Sequence, residues 1–478
     1  MSVNTETPKK KPSVLISFSV IILLVALLGL VIAAGGNIIP VLVIITSYLV
    51  VIGQFCGYIW KELIDAMVEK CTGLIETLLI MYAIGIFIGV MMYSGTIPTL
   101  IYYLINIINP NFMIVLSFVI PAIVAVIIGT SWGTAGTVGI IMISIATGMG
   151  ISLPMVAGAV ISGSHVGQLL SPMSDTSNLA ANLAKVDTPS MIKRMAFYSV
   201  PVVIIATVLY LFLGFTSGSS EVSLDAANQI RAEIASMFNV NPIAILPMLL
   251  VFVMTLKQQP VVKSLLSASF LGLIFGVILN GFDPLYGIEV MYSGFNLGKI
   301  PGVDPTAYSE VFNNLLNRGG MDSMNSSALL AIIATCLGAV IAKVQVVNVI
   351  VETVFAKVKS RFGLTTSVVA VTAMMDACTS STFLAMLLAC EFFREKFHLA
   401  GLSDSDLVAS AMSVGSQFIA IVPWSDTAIY MAGITGVATF ASLPYTFFCW
   451  GCAVMMILLS IPGIGFARKN QTAETIQA

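Results

Sequence analysis

The chain has 478 residues, of which 58% are hydrophobic and only 9% are charged, and its mean hydropathy is +1.01. This composition excludes a soluble globular protein, because several apolar runs reach the roughly 20 residues that cross a bilayer. The formal net charge of −2 offers no basic surface for nucleic acid. We therefore expect an all-α, polytopic helical membrane protein whose function lies within the lipid bilayer.

The N-terminal region carries lysines ahead of an apolar run. Lys9, Lys10 and Lys11 precede residues 14–34, a run longer than the roughly 7 to 15 residues of a cleavable signal core. The positive-inside rule places these lysines in the cytoplasm. Residues 1–71 are therefore expected to hold N-terminal helices and a cytoplasmic N-terminus.

Later apolar runs alternate with clusters of Lys and Arg, which the positive-inside rule assigns to the cytoplasm. Two other stretches are expected on the outer side: the uncharged residues 95–110 and the long segment 281–325, which is rich in Gly, Asp and Asn. The predicted spans are 72–93, 195–215, 241–256, 262–280, 327–343 and 442–461.

Two segments do not fit simple spans. Residues 111–150 contain GTSWGTAGT (129–137), and residues 362–394 contain DACTSST (376–382). Each segment begins and ends on the same predicted side, and each is long enough for two half-membrane helices at 1.5 Å per residue. Both are therefore predicted to be re-entrant hairpins whose polar tips reach the middle of the bilayer.

Each hairpin is followed by a helix with a polar interruption, PMSDTSN (172–178) in one case and PWSDT (423–427) in the other. In hydrocarbon, an interrupted helix exposes unpaired N–H and C=O groups at a cost of several kcal/mol unless they line a cavity or bind a ligand. Both helices are therefore predicted to be discontinuous and to face a cavity. Proline with serine and threonine in a membrane helix is otherwise only a kink, and this alternative holds best for an isolated copy.

The spacing of these motifs indicates an internal repeat. Ser131 and Ser380 lie 249 positions apart, and Asp175 and Asp426 lie 251 apart. The basic clusters of one half match charge-free stretches of the other, so the two copies are predicted to be inverted. The predicted boundaries are 72–215 for the first repeat, 216–326 for the connecting helices and outer segments, 327–461 for the second repeat and 462–478 for a cytoplasmic tail.

Oxygen ligands at mid-membrane suit a small alkali cation. A buried carboxylate binds a proton more tightly, whereas a bound cation favours its ionised form, so one carboxylate can exchange H⁺ for Na⁺. Na⁺ is predicted at Asp175 and Asp426, and proton coupling at Asp175, Asp376 and Asp426. Further ion-binding oxygens are predicted from Ser174, Thr176, Asn178, Ser425 and Thr427. The hairpin tips that close the site or meet a substrate are predicted at Thr130, Ser131, Thr134, Thr379, Ser380 and Thr382.

Two of these assignments have alternatives. Asp376 has no acidic counterpart in the first half, so a helix-capping or other structural role competes with proton transfer. His165 precedes the first interruption and is either a hydrogen-bonded packing residue or a second proton carrier.

Five stretches of the chain together resemble the NhaC family of sodium/proton antiporters. The resemblance covers most of the chain from about residue 72 and implies a secondary transporter that uses a sodium gradient. The family is similar to other transporters with paired hairpins, some of which exchange malate and lactate or take up amino acids. The chain departs from the family pattern at Gln168 and Ser425. The stretches are SGTIPTLIYYL (94–104), GTSWGTAGTVGI (129–140), PMVAGAVISGSHVGQLLSPMSDTSNLA (154–180), GGMDSM (319–324) and IVPWSDTAIYMAGITGV (421–437).

The sequence thus predicts an antiporter of the cytoplasmic membrane that exports Na⁺ in exchange for H⁺. The alternative is a Na⁺-coupled transporter or antiporter of an organic acid or an amino acid on the same scaffold. A channel or an enzyme is less consistent with the sequence, because neither a metal-ligand cluster nor a nucleophile and base pair is found. No cofactor is expected, and a homodimer is expected only by analogy with similar scaffolds.

Overall fold

The computed structural model describes residues 9–105, 107–216, 224–355 and 358–462, and this part of the chain is helical and contains no strands. Eight of its helices are long and apolar enough to cross a membrane, or up to eleven spans if each bent helix pair counts as one. The predicted all-α, polytopic fold is therefore confirmed. Residues 463–478 of the predicted tail and 217–223 of the predicted connecting region 216–326 lie outside the described residues.

Three helices form the N-terminal part. The third is 34 residues long and starts well before the predicted span 72–93, because its first turns carry charged side chains such as Lys61, Glu62 and Lys70 that hydropathy alone excludes. A short helix with one buried face follows it and covers residues 96–104 of the uncharged stretch 95–110. These helices are α1 (Val14–Ala33), α2 (Ile39–Phe55), α3 (Trp60–Tyr93) and α4 (Thr96–Leu104).

The first hairpin and the first broken helix follow in order. The second arm of the hairpin starts at Ser131 and contains a π-helical segment, Ala135–Gly139, which interrupts regular α-helical bonding. The helices are α5 (Pro110–Ile128), α6 (Ser131–Thr134), α7 (Ile140–Gly148), α8 (Leu153–Leu170), α9 (Asp175–Ala184) and α10 (Thr188–Thr216).

The connecting region and the second hairpin complete the fold. Helices α12 and α13 are joined by the loop 257–260, and the stretch between α13 and α16 contains two short helices with several turns. The helices are α11 (Leu224–Met237), α12 (Leu246–Leu256), α13 (Val261–Asn280), α14 (Pro284–Ser293), α15 (Glu310–Leu316), α16 (Asn325–Val344), α17 (Val346–Val354), α18 (Arg361–Thr379), α19 (Thr382–Leu399), α20 (Asp404–Phe418), α21 (Asp426–Thr435), α22 (Thr439–Ser442) and α23 (Phe447–Ser460).

Two pairs of helices, one member in each half, have equal lengths. Helices α5 and α18 each have 19 residues, and α9 and α21 each have 10. The starts of five helix pairs differ by 251 positions: α5 and α18, α6 and α19, α8 and α20, α9 and α21, and α10 and α22. The equivalent of Ser131 is therefore Thr382 rather than Ser380. This regularity supports the predicted repeats, while their opposite orientation in a membrane stays a prediction.

Contacts between the halves hold the hairpins against the broken helices. The rings of Trp132 and Tyr430 stack with centroids 4.3 Å apart, and the Tyr430 hydroxyl donates to the Trp132 carbonyl at 2.6 Å. Arg194 of α10 pairs with Asp406 in the first turn of α20 at 2.5 Å, and the Asp406 side chain is fully buried. The tip of the first hairpin is thus fixed to the broken helix of the second half.

Candidate functional site

Both hairpin tips and both helix interruptions line one cavity of about 560 Å³. The structure thus brings together segments that are about 250 positions apart in the chain. Helix α3 contributes Glu76 and Thr77, and the segment 259–261 beyond α12 lines another part of the wall. The predicted site residues that line the cavity are Thr130, Ser131, Ser174, Asp175, Thr176, Ser380, Thr382, Asp426 and Thr427.

Asp175 and Asp426 occupy the same position in their two helices. Each is the first residue of its helix, directly after a serine N-cap, Ser174 or Ser425. The N-terminal end of a helix carries a partial positive charge, which stabilises an ionised carboxylate there. Asp175 is exposed at the cavity and Asp426 is partly buried. The cavity therefore has two carboxylates in its wall.

The Ser-Asp-Thr sequence explains why both helices restart at this point. The Ser425 hydroxyl accepts the Ala428 N–H at 3.0 Å and donates to the Ile419 carbonyl at 2.5 Å. The Ser174 hydroxyl donates to the Gln168 carbonyl at 3.3 Å. Each serine thus caps the new helix and satisfies a carbonyl that the break leaves free. Their predicted role as ion ligands is additional to this structural role and stays a prediction.

The threonines after the two aspartates have different partners. The Thr176 hydroxyl donates to the Gln168 carbonyl at 2.9 Å, and the Thr427 hydroxyl donates to Asp426 Oδ1 at 3.2 Å. Both line the cavity. Hydroxyl oxygens of this kind have lone pairs that can coordinate a cation.

Five predicted residues do not line this cavity: Asn178, Ser425, Thr134, Thr379 and Asp376. Asn178 Oδ1 accepts the Thr188 hydroxyl at 2.9 Å, and the Thr134 hydroxyl donates to the Thr130 carbonyl at 2.8 Å. The side chain of Asp376 is completely buried in α18, and neither of its oxygens has a hydrogen-bond partner. Asp376 thus lies behind the tip of the second hairpin rather than in the cavity wall.

His165 also lies away from the cavity. Its ring is fully buried in α8, and Nδ1 is 2.8 Å from the Ile161 carbonyl, one helical turn earlier. The ring therefore donates to the backbone of its own helix, in agreement with the packing alternative.

Lys70 is a functional candidate that the sequence did not indicate. Its ammonium group donates to the Thr379 carbonyl at 2.5 Å, at the C-terminal end of α18, and it interacts electrostatically with Asp426. A side chain at Gly338 of α16 would come within 2.9 Å of this ammonium group. The sequence grouped Lys70 with cytoplasmic lysines, since a contact across 309 positions leaves no local signal.

Other polar residues of the cavity wall were also missed. Glu76 of α3 adds a third carboxyl group, and Gln168 donates to the Ser131 hydroxyl at 2.7 Å, so it joins the first hairpin tip to the first interruption. Glu76 lies inside the predicted span 72–93, where an acidic side chain is costly in lipid. This energetic cost was a signal in the sequence that could have identified Glu76 as a functional candidate.

A model of the Na⁺/H⁺ antiporter family matches the chain over residues 7–177 and 166–464. The chain is 32% identical to the malate-2H⁺/Na⁺-lactate antiporter of Bacillus subtilis strain 168, over 88% of each chain. It is 30% identical to an uncharacterized Na⁺/H⁺ antiporter of Haemophilus influenzae, over 97% of this chain and 98% of the relative. Its identity to the Na⁺/H⁺ antiporter NhaC of Bacillus subtilis strain 168 is 29%, over 86% of this chain and 88% of the relative.

These matches agree with a multi-pass helical protein whose apolar helices surround an acidic cavity. The family match extends across both hairpins and both helix interruptions. The chain therefore belongs to the Na⁺/H⁺ antiporter family, and its function is the exchange of Na⁺ for H⁺ across a membrane.

Proposed function

We propose that the exchange takes place in the central cavity, where Na⁺ binds between Asp175 and Asp426. The observation that carries this proposal is that both aspartates, one from each broken helix, line the same cavity. Thr176 and Thr427 add hydroxyl oxygens beside them, and Ser174 adds a third. Carboxylate and hydroxyl oxygens are the ligands that hard cations prefer.

The charge balance of the cavity favours a cation. Asp175, Asp426 and Glu76 bring three carboxyl groups to its wall, and the nearby Lys70 brings one ammonium group. The partial positive charges of the two helix N-termini favour a negative group at these positions but do not replace a bound ion. An excess of negative groups therefore remains for Na⁺ or H⁺ to neutralise.

Proton coupling follows from competition for the same carboxylates. When Na⁺ leaves, a proton neutralises the carboxylate in its place, and when Na⁺ binds, the proton is released. We assign this role to Asp175, Asp426 and Asp376. The buried carboxyl group of Asp376 must be neutral or paired with a cation, since an isolated charge there is costly.

The proposed cellular setting follows from the topology. With the basic clusters inside, the protein lies in the cytoplasmic membrane and exports Na⁺ as H⁺ enters. The exchange uses the ion gradients alone, without a cofactor, and its partners are the two ions and the lipid bilayer. We also propose a homodimer, by analogy with similar scaffolds.

A second candidate function is exchange of an organic acid or an amino acid coupled to Na⁺. It is favoured by the cavity volume of about 560 Å³, which is larger than a small cation needs. Helices begin at Ser131 and Thr382 in the two hairpin tips, and the N-terminal end of a helix suits a carboxylate. One relative carries malate and lactate in its name.

Reconstitution into proteoliposomes tests the main proposal. Addition of Na⁺ should collapse a preset pH gradient with no organic solute present. Asp175→Asn should abolish this Na⁺-dependent flux, whereas Asp187→Asn, at an exposed aspartate outside the cavity, should retain it. Normal apparent Na⁺ affinity in Asp175→Asn would remove Asp175 from the mechanism.

The same vesicles separate the two candidate functions. If Na⁺ moves protons only when malate, lactate or an amino acid is added, the second function replaces the first. If these solutes have no effect on the rate or on the Na⁺ dependence, the second candidate is excluded for them.

A further inference from the structure

A second cavity of about 400 Å³ lies at the C-terminal end of α21, and its charge differs from that of the central cavity. Among the described residues, Arg318 is the one charged side chain in its wall, and the rest are serines, glycines and apolar residues. The central cavity has three carboxyl groups in its wall instead. Small-molecule sites have volumes of about 300 to 1,000 Å³. The second cavity therefore has room for a small ligand, and its charge favours an anion.

The Arg318 guanidinium has no partner in the part of the chain that the structure describes. It forms no ion pair and donates no hydrogen bond there. Burial lowers its pKa, and no neighbouring carboxylate opposes this effect. A guanidinium nevertheless stays charged in proteins and carries five N–H donors. Because charges that are withdrawn from water are normally paired, this group lacks an anionic partner.

Glycines of α21 let the guanidinium lie directly against the helix end. A methyl group at Gly436 would collide with a guanidinium nitrogen of Arg318, and one at Gly433 would come within 3.2 Å of the Met324 sulfur. Gly436 is the C-cap of α21 and has a φ of +66°, which glycine adopts without strain. The partial negative charge of this helix end stabilises the guanidinium there. Its N–H donors are still unused.

Ser327 of α16 adds a hydroxyl group to the same wall. This hydroxyl has no hydrogen-bond partner among the described residues. The Ser323 hydroxyl, four positions earlier, already donates to the Gly320 carbonyl at 2.7 Å. Ser327 rather than Ser323 is therefore able to donate to a ligand.

The lining of the cavity favours a carboxylate with a short apolar body. A guanidinium presents its N–H groups as a planar fork that matches the two oxygens of a carboxylate. A single positive charge balances a single negative charge, so a dianion would retain uncompensated charge in the cavity. Ile88 and Ile434 give the wall an apolar part that a hydrocarbon chain can contact.

We propose that the second cavity binds a small organic monocarboxylate, held by the Arg318 guanidinium and the Ser327 hydroxyl. Arg318 belongs to the segment 281–325, which is predicted on the outer side, so the ligand enters from outside the cell. The second cavity shares no lining residue with the central one. This inference therefore goes beyond the exchange of Na⁺ for H⁺ and does not depend on it.

Binding of radioactive propionate to the purified full-length protein, in a buffer without Na⁺, tests the site. The wild type should bind propionate saturably, and Arg318→Gln should weaken the affinity about tenfold or more, because charged hydrogen bonds are lost. Lys299→Gln is the control, since it removes a positive charge from the same outer segment, where Lys299 is exposed and pairs with Glu289 outside the cavity. It should keep the wild-type affinity.

Gly436→Ala tests the position of the guanidinium without changing its charge, and it decides the matter if Arg318→Gln fails to fold. The added methyl group displaces the guanidinium, so propionate affinity should fall severalfold or more. Gly281→Ala is the matched control. Gly281 is the C-cap of α13 with a φ of +67°, and a methyl group there meets no atom within 4 Å. It should bind propionate like the wild type.

Ser327→Ala removes the hydroxyl donor and should weaken propionate binding severalfold. Ser326→Ala is its control, because Ser326 is exposed and does not line the cavity. Unchanged affinity in Ser327→Ala would remove this residue from the site and leave the ligand on Arg318 alone, contrary to the proposal.

Competition experiments test the chemical class of the ligand. Propionamide, which has the same shape without the charge, should not displace propionate, and chloride should displace it only at much higher concentration. Equal competition by propionamide would show that the cavity binds an apolar body alone. Equal competition by chloride would overturn the carboxylate assignment.

Other results would exclude the site itself. Absence of saturable propionate binding in the wild type, or equal affinities in the wild type, Arg318→Gln and Gly436→Ala, would do so. Binding that is lost in Asp175→Asn but kept in Arg318→Gln would place the carboxylate in the central cavity instead. Failure of Na⁺-driven proton flux with propionate binding intact would contradict the proposed exchange and leave this site standing.

Discussion

Three aspartates near the hairpins illustrate how position decides the role of a carboxyl group. Asp175 and Asp426 begin helices, so backbone dipoles stabilise their charge and the cavity gives ions access. Asp376 sits inside α18 with neither dipole nor hydrogen bond to stabilise a charge. The first two therefore suit a transported ion that comes and goes, and the third suits an ion or proton held more tightly.

Lys70 places a positive charge near Asp426. Lys70→Gln removes the ammonium group that interacts with Asp426, so a Na⁺ bound at Asp426 loses a repulsive neighbour. At the effective dielectric constant of a protein site, the repulsion between two positive charges a few ångströms apart amounts to about 1 kcal/mol or more. We expect the apparent Na⁺ affinity to rise about threefold to tenfold, measured as the Na⁺ dependence of proton flux in proteoliposomes.

Lys61→Gln is the control for this change, because Lys61 is an exposed lysine of the same helix and does not line the cavity. It should keep the wild-type Na⁺ dependence. A lower Na⁺ affinity in Lys70→Gln would show instead that the lysine mainly positions the hairpin tip through the Thr379 carbonyl.

For individual residues, the sequence predicted which acidic side chains reach the cavity better than it predicted hydrogen-bond partners. Asp175 and Asp426 were identified because each follows a Pro-x-Ser pattern that interrupts an apolar run. The location of Asn178 away from the cavity was not predictable, since its partner Thr188 depends on how the chain turns after α9. Lys70 was missed for the same reason, as its contact is made only after α3 packs against the second half.

Between elements, the packing of α5 on α8 depends on glycines that let the two backbones meet. A methyl group at Gly167 would collide with the Ala125 carbonyl, and one at Gly163 would collide with the Phe118 carbonyl. These contacts join the first arm of the first hairpin to the helix that carries the interruption. Any side chain here pushes the two helices apart.

Gly167→Ala should therefore destabilise the protein by about 1–3 kcal/mol through overpacking. We expect the detergent-solubilised variant to unfold at a lower midpoint temperature than the wild type. Gly29→Ala in α1 is the control, because a methyl group there meets no atom within 4 Å, and alanine is the better helix former. An unchanged midpoint in Gly167→Ala would mean that α5 and α8 separate without cost.

The hairpins show how far an element can be predicted from its sequence. Segment 111–150 was expected to be one and contains α5 to α7, and segment 362–394 contains α18 and most of α19. Their first arms, α5 and α18, are each long and apolar enough to cross a whole membrane, unlike the expected half-membrane helices, so re-entry stays a prediction. The second arm of each hairpin begins after an N-cap residue, Thr130 or Ser381. Such caps depend on local sequence, so the positions of the polar tips were predictable. The π-helical segment after the first tip was not predicted, because it depends on packing against other helices rather than on the local pattern.

Across the whole molecule, α21 separates two cavities. Its N-terminal end, at Asp426, borders the central cavity, and its C-terminal end borders a second cavity of about 400 Å³ that Arg318 and Ser323 also line. At 1.5 Å per residue its ten residues span about 15 Å. The central cavity is bordered by the loop before α13, which lies between Lys257 and Lys263 and which the positive-inside rule predicts to be cytoplasmic.

This arrangement predicts that the protein faces the cytoplasm in the described conformation, and single cysteines test it. Ser381→Cys, in the central cavity, should react with a membrane-impermeant maleimide added from the cytoplasmic side, and Na⁺ should slow this reaction severalfold because the ion occupies the cavity. Ser323→Cys, in the second cavity, should react only from the opposite side. The wild type measures the background, since none of its seven cysteines lines either cavity. Reaction of both variants from the same side would contradict two cavities that open on opposite sides of α21. Reaction of each variant from both sides would indicate a continuous pore, which an exchanger must avoid because a pore dissipates the gradient that drives it.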